Sequence, residues 1–471
     1  MKKALHGLIL GAALHAGCIV SLHSSALFAQ EPPAEKEGET PAAESPTAHD
    51  PPAVEGDAPP VSMHEPLVAR VEMRLTLGDK VIDVIEKGDL LTVLSERADS
   101  YVIRTFSGQK GAVTKNNAVR LAESIEIYND LLKEREKEGR LYTLRAGAWW
   151  ALGETDKALE DFNKAIDLGY REAHAFASRG LFHAALGNND AALADYSEAI
   201  KLNPKDSASL INRAAVYLAT EKPDSAVADY SAALALDEKN GVLLQQRGIA
   251  YKAAGKLKEA LSDYTRATEL DEKDISAWMG RGFVYFQMGD HQAAIENFTK
   301  VIDLAPLTAV AYNNRGYNFQ QLGKFREALA DYDRAVELAP KYALAFQNKA
   351  WLHLLSTDEK LRNARKAVEA ATSACDLSAY GNVNDLLALA AALAADGQFD
   401  KAIGWQEKVV DLMPDGEKSF AEKILENYRQ KHPFDPKLLE SSENSGGSSP
   451  PKTAPKPASD AQETKPPADK P

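Results

Sequence analysis

The sequence has only two cysteines, Cys18 and Cys375. Cys18 falls in an expected leader, so the mature chain would carry Cys375 alone. That excludes a disulfide framework or a Cys-rich metal site. Positive charge is also short: 55 Lys and Arg stand against 69 Asp and Glu, a net charge of -14. Such a balance argues against nucleic acid, which needs a basic face, and leaves a basic peptide open as a partner. Catalytic signatures are missing as well. There is no His-Glu-x-x-His, no Gly-rich phosphate loop ahead of Lys-Ser/Thr, no Gly-x-Ser-x-Gly and no Cys-x-x-Cys. The histidines are scattered, and His183, His291 and His353 read as surface or packing residues rather than ligands. Cys375 reads as a buried, inert thiol. Asn297-Phe298-Thr299 has the form of a glycosylation sequon, but Phe298 occupies a core position. The expectation is a chain without cofactor, metal or catalytic residue.

What the sequence has is a period of 34. Arg145, Arg179, Arg213, Arg247, Arg281 and Arg315 are spaced by it, with Lys349 at the next step. Asp161, Asp195, Asp229, Asp263, Asn297 and Asp331 form a second ladder. A third is small (Ala158, Ala192, Ala226, Ala260, Ala294, Ala328), and a fourth aromatic (Phe162, Tyr196, Tyr230, Tyr264, Phe298, Tyr332). Small and aromatic residues at fixed offsets in such a period mark a solenoid of helical hairpins.

The fifth unit reads Trp278, Gly282, Tyr285, Gly289, Ala294, Phe298, Val301 and Pro306. Gly282 and Ala294 let two antiparallel helices approach, Tyr285 and Phe298 fill the space beside them, Gly289 suits the turn, and Pro306 stops the second helix. This pattern resembles the tetratricopeptide repeat, with Val301 the one loose match. The resemblance implies a mainly α fold, a superhelical solenoid of stacked helix pairs that binds other proteins. About eight repeats are expected over 141–415, and a capping helix over 416–433, because the last repeat would otherwise expose an apolar face. Six repeats are regular. The seventh carries a five-residue insertion around Ser356 to Asn363, and the eighth recovers with Leu386, Ala390, Gly397, Ala402 and Pro414. The stretches Ala350-Trp351-Leu352, Lys366 to Glu369 and Gly404 to Lys408 also resemble the terminal repeats of exported tetratricopeptide proteins of planctomycete-type bacteria.

Ahead of the repeats, residues 1–29 have the form of a secretory signal: Lys2 and Lys3, an apolar run from Ala4 to Val20, and Ala29 at a cleavage point. A secreted or periplasmic protein is the expectation, with an amino-terminal membrane anchor over Ala4 to Ala29 as the alternative. Lipidation at Cys18 is a further alternative, although His15 stands where that signal wants Leu. Residues 30–66 are rich in Pro, Ala and Glu and predict a disordered acidic linker, and 434–471 a disordered tail.

Residues 67–122 predict short strands at Val68–Leu75, Val81–Ile85, Leu90–Leu94, Tyr101–Phe106 and Ala112–Val113, separated by turn signals. Glu86-Lys87-Gly88-Asp89 ahead of Leu90 to Leu94, then Ser107 to Val113, resembles a bacterial SH3-like barrel. That resemblance implies binding of cell-wall glycan or peptide through exposed aromatics. Ala112 stands where the family usually has Trp, and Tyr101 and Phe106 read as core. A connecting helix is expected over 123–140.

Two expectations concern sites. The Arg and Asp ladders imply an ion pair between helices, either within a repeat (Arg179 with Asp195) or between neighbours (Arg179 with Asp161). A partner segment is expected in the groove of the fifth to seventh repeats, on Met279, Phe283, Phe286, Tyr317 and Trp351. Tyr317 follows Phe283 by one period and Trp351 follows Tyr317 by another, so these aromatics should stack along adjacent repeats. Asn212-Arg213 and Asn314-Arg315 resemble the Asn-Arg pair of the clamp with which some tetratricopeptide domains hold chaperone tails. The flanking positions lack its lysines, so the clamp is absent. A protein scaffold is therefore the expectation, and a cell-wall glycan binder acting through the SH3-like region is the alternative.

Overall fold

A computed structural model describes residues 66–77, 80–105, 107–414 and 418–434. The expected leader, nearly all of the acidic linker, Phe106 and the tail after Phe434 lie outside the described residues. The fold is mainly α, stacked helix pairs preceded by a small antiparallel β region. The described residues divide into two compact units, one up to Leu243 and the other from Leu244.

The first unit opens with strands β1 (Pro66–Ala69), β2 (Met73–Leu77), β3 (Lys80–Ile85), β4 (Leu90–Glu96), β5 (Ser100–Arg104), β6 (Lys110–Thr114) and β7 (Ala118–Arg120). Five form an antiparallel sheet in the order β6-β5-β4-β1-β7, and β2 and β3 pair as a separate hairpin. The apolar run expected as one strand, Val68–Leu75, is thus two strands in two sheets. β7 carries no turn signal of its own and exists because Ala118 to Arg120 pair with β1. Leu67, Leu91, Ile103 and Tyr101 lie in the core of this region.

Helix α1 (Ile125–Glu134) follows, then α2 (Gly139–Leu152). They join the β region through a shared core: Val68, Leu90 and Val119 pack with Tyr128, Leu131 and Leu144. Tyr128 donates from its hydroxyl to the Gly88 carbonyl at 3.1 Å, and Arg140 on α2 bonds Asp89 at 2.6 Å. Gly88 is required there, with φ of 92° and no room for a Cβ against Leu131.

The helix pairs of this unit are α2 with α3 (Thr155–Asp167), α4 (Ala173–Ala185) with α5 (Asn189–Leu202), and α6 (Ser207–Ala219) with α7 (Pro223–Leu236). Helix α8 (Gly241–Ala253) carries the boundary between the units. The second unit continues with α9 (Leu257–Leu270), α10 (Ile275–Gln287), α11 (His291–Leu304), α12 (Ala309–Gln321), α13 (Phe325–Leu338), α14 (Ala343–Leu355), α15 (Ala364–Leu377), α16 (Val383–Ala395), α17 (Phe399–Leu412) and α18 (Lys418–Arg429).

Each repeat is closed by the small and aromatic ladders. The alanines from Ala158 to Ala328 are wholly buried, and so are Phe162, Tyr196, Tyr230, Tyr264, Phe298 and Tyr332. The aromatic ring of the second helix lies on the glycine of the first: a Cβ at Gly282 would stand 2.9 Å from the Phe298 ring. The turn after the first helix is left-handed at Gly153, Gly187, Gly255, Gly289 and Gly323. Glu221 occupies the same step, with φ of 55°. Between α14 and α15 the chain takes residues 356–363, against 322–324 in the preceding pair. This longer loop is held by His353, whose ring Nδ1 donates to the Leu361 carbonyl at 2.8 Å, and by Arg326 on Asp358 at 3.0 Å.

Candidate functional site

The charge ladders meet within repeats. Arg179 bonds Asp195 with two nitrogens, at 2.9 and 2.7 Å, and Arg213 bonds Asp229 likewise, both at 2.7 Å. Arg145 with Asp161, Arg247 with Asp263 and Arg315 with Asp331 repeat the fork. The aspartates are buried. The third arginine nitrogen reaches back one repeat to an uncharged acceptor: Asn163 for Arg179, Ser197 for Arg213, Thr299 for Arg315. Arg179, Arg213 and Arg315 therefore each tie three helices, which fixes the register of a pair against its predecessor. The hydrogen-bonded aspartate raises the affinity of Arg145, Arg213, Arg247 and Arg315 for their protons. Burial outweighs the arginine at Asp331 and holds that carboxyl above its ordinary range.

The fifth repeat departs from this. Arg281 donates to the amide oxygen of Asn297 at 2.7 Å and to Thr268 at 3.1 Å, and its guanidinium lies 4.4 Å from the Trp278 ring centroid. Here burial lowers the arginine's proton affinity, against the fields of Tyr285 and Glu269.

The residues expected to line the partner groove are less open than an empty groove requires. Met279 is 4%, Phe283 5%, Tyr317 4% and Trp351 5% exposed, while Phe286 is half-buried. Their neighbours account for this. Phe283 sets its ring edge-on to Phe298 on the second helix of its own repeat, with centroids 5.5 Å apart. Met279 belongs to the same cluster. Tyr317 meets Phe286 edge-on at 5.4 Å, so this contact crosses between adjacent repeats, and burial pushes the Tyr317 hydroxyl up to about 12. Trp351 meets Phe434, beyond α18, at 5.4 Å. Tyr317 meets Phe286, about one helical turn along from the Phe283 that the period sets beside it. The contact made by Phe434 had no signal in the sequence, since Trp351 and Phe434 are far apart in the chain.

A buried polar set beside these aromatics also escaped the pattern. Asn348 donates to Asn313 at 2.8 Å, Asn318 to the Asn314 carbonyl at 2.7 Å, and His291 bonds the Asn318 side chain at 2.8 Å. The period pairs Asn313 with Gln347 and Asn314 with Asn348, which is the signal that could have found it. Cys375 is buried, and burial pushes its thiol up to about 12, far from a reactive thiolate. Among the described residues no cluster of His, Cys, Asp or Glu is placed to hold a metal ion, and no helix is long and apolar enough to cross a membrane.

Models of the tetratricopeptide repeat match the chain over residues 178–241 and 274–341, and a TPR repeat model matches 248–289. The chain contains tetratricopeptide repeats. Such repeats generally serve as protein-protein interaction scaffolds and are typically non-enzymatic. A comparison with curated proteins finds no match. Among solved structures, a tetratricopeptide-repeat protein of Parabacteroides merdae is similar at 18% identity, over 55% of this chain and 98% of its own, with a TM-score of 0.45. YrrB, described as a TPR protein with an unusual peptide-binding site, is 26% identical over 40% of this chain and 97% of its own, with a TM-score of 0.35. MamA of Desulfovibrio magneticus RS-1 is 23% identical over 36% of this chain and 94% of its own, with a TM-score of 0.34.

Proposed function

We propose that this tetratricopeptide-repeat protein is an exported, non-enzymatic adaptor that holds a peptide or helix of another protein on the first-helix face of its fifth to seventh repeats. The observation that carries the site is the Phe286–Tyr317 contact. It bridges two repeats and leaves the Phe286 ring half-open, the form of an aromatic anchor on which a partner's apolar side chain can lie. That ring packs against the cluster of Met279 and Phe283 and, edge-on, against Tyr317. Affinity purification from the native envelope, with the wild-type chain and Phe286→Ala as paired baits, tests the site. The adaptor reading expects a partner retained by the wild type and lost by a variant of unchanged thermal stability. Equal retention by both would place the site elsewhere.

Export rests on the basic start, the apolar run and Ala29, and predicts a mature chain beginning near Gln30. Amino-terminal sequencing of the native protein tests it; an intact Met1 on a cytoplasmic protein would refute it. We also propose that 67–122 is an SH3-like barrel, which the closely packed antiparallel strands and the buried Tyr101 support. Binding of cell-wall glycan through it is the alternative function. Position 112 faces solvent but carries only Ala. Co-sedimentation of the full chain with purified peptidoglycan separates that alternative from the adaptor.

A further inference from the structure

The core of the last repeats is covered in part by the segment that follows α18. Helix α16 reads Val-Asn-Asp-Leu-Leu-Ala-Leu-Ala-Ala-Ala-Leu-Ala-Ala, and every residue from Asp385 to Ala394 is buried. A helix that is apolar on all sides needs cover on all sides. Helices α15 and α17 pack on it, as does α14, which supplies Trp351 to the same cluster. Phe434 packs against that cluster too, with its ring on Trp351.

The path that delivers Phe434 is specific. Helix α18 ends at Arg429, and Lys431 takes a left-handed conformation with φ of 59°. Its amide donates to the Tyr428 carbonyl at 2.9 Å, and the His432 amide to Asn427 at 2.8 Å. This is a helix stop of the kind that reverses the chain, here made by Lys rather than Gly. The turn puts lysine in a conformation that costs energy, and the contact it makes possible is that of Phe434 with Trp351. His432 and Lys431 are exposed, and Phe434 alone of the three is half-buried. Phe434 thus reaches Trp351 from the non-helical segment that follows α18, and adds its ring to the helices already packed in that cluster.

We propose that this contact is autoinhibitory: the segment after α18 that carries Phe434 occupies, in cis, an apolar site at Trp351 that otherwise takes an aromatic residue from a non-helical segment of a partner. The proposal rests on the adaptor reading above and adds to it both the chemistry of the partner and a reason why Trp351, one of the five expected site residues, is covered. An occupant in cis lowers the apparent affinity of any partner by the fraction of time that the site is filled.

The test needs no external partner. A peptide of residues 428–440 of this chain is titrated into the full-length protein and into full-length Phe434→Ala, by calorimetry, with a peptide carrying the same substitution as control. The expected result is binding of the unaltered peptide to the variant at least roughly tenfold tighter than to the wild type, and none of the control peptide. Equal affinities, or no binding to either chain, would overturn the proposal. So would a variant that melts with its last repeats unfolded, since Phe434 would then be a structural cap. A wild-type dimer that Phe434→Ala converts to a monomer would also overturn it, because the segment would then serve a second copy. Failure to capture any envelope protein would count against the adaptor reading and leave the peptide result standing.

Discussion

Arg281 donates to Asn297, an uncharged amide, at the step where Arg247 and Arg315 each grip an aspartate with two nitrogens. The fifth repeat thus keeps the geometry of the ladder and lacks its negative charge. Asn297→Asp should restore the fork and stabilise the second unit by about 1–2 kcal/mol, the scale of a hydrogen bond to a charged group. Urea unfolding of the two chains measures this. A variant no more stable than the wild type would show that desolvating the new carboxylate cancels the pair.

The reverse change in a complete fork should cost more. Arg213→Met leaves Asp229 buried without its partner, with an expected loss of about 2–4 kcal/mol. Asp229→Asn, which keeps one hydrogen bond as Asn297 does, should lose less. If the two variants unfold at the same denaturant concentration, the charge contributes little and geometry alone matters.

Glu221 holds a left-handed conformation at the step where the neighbouring turns use Gly187 and Gly255. Glu221→Gly should stabilise the first unit by about 0.5–1 kcal/mol, because relief of left-handed strain exceeds the added chain entropy of glycine. By contrast, Gly280→Ala drives a methyl group into the Tyr264 ring and should destabilise by about 1–3 kcal/mol. Thermal scans of both variants against the wild type check the opposite signs.

Stability should fall as pH drops below the ordinary range of histidine. Burial lowers the proton affinity of His353, His174 and His183 in the folded chain. The unfolded chain then binds more protons as pH falls through about 6.5, so the contribution is full above that value and is lost below it. At His353 the Nε2 atom is buried with no hydrogen-bond partner, so a proton there places a charge with nothing to receive it. Denaturant midpoints at pH 7, 6 and 5 should decline, and His353→Gln should flatten the decline. An unchanged slope in that variant would assign the effect to the other two histidines.

Phe283→Ala and Tyr317→Ala should each reduce stability by about 3–5 kcal/mol, the cost of removing a buried aromatic side chain. Phe286→Ala should cost much less. Melting temperatures of the three variants separate packing residues from a surface anchor; a small loss at Phe283 would return it to the open groove.

The sequence by itself determined the repeat. A fixed period of 34 placed the small, aromatic and charged ladders on helix pairs because neighbouring repeats must present the same surfaces to stack. It also located the longer loop after Trp351, since an insertion shifts every later ladder residue by the same amount. It did not reveal that the run from Val68 to Leu75 divides between two sheets, because no turn residue marks the break. Nor could it choose between Asp195 and Asp161 as the partner of Arg179: both lie at similar separation in the chain, and only the packing of one helix on the next fixes which is in reach. The candidate site shows the same division. Helical spacing put Met279, Phe283 and Phe286 on one face, but whether a face is groove or core depends on what lies over it. For Phe283 the cover is Phe298 of the same repeat, and for Trp351 it is Phe434, which a left-handed turn at Lys431 brings back across the fold. Contacts between residues far apart in the chain have no period to announce them, and tertiary packing alone decided these two.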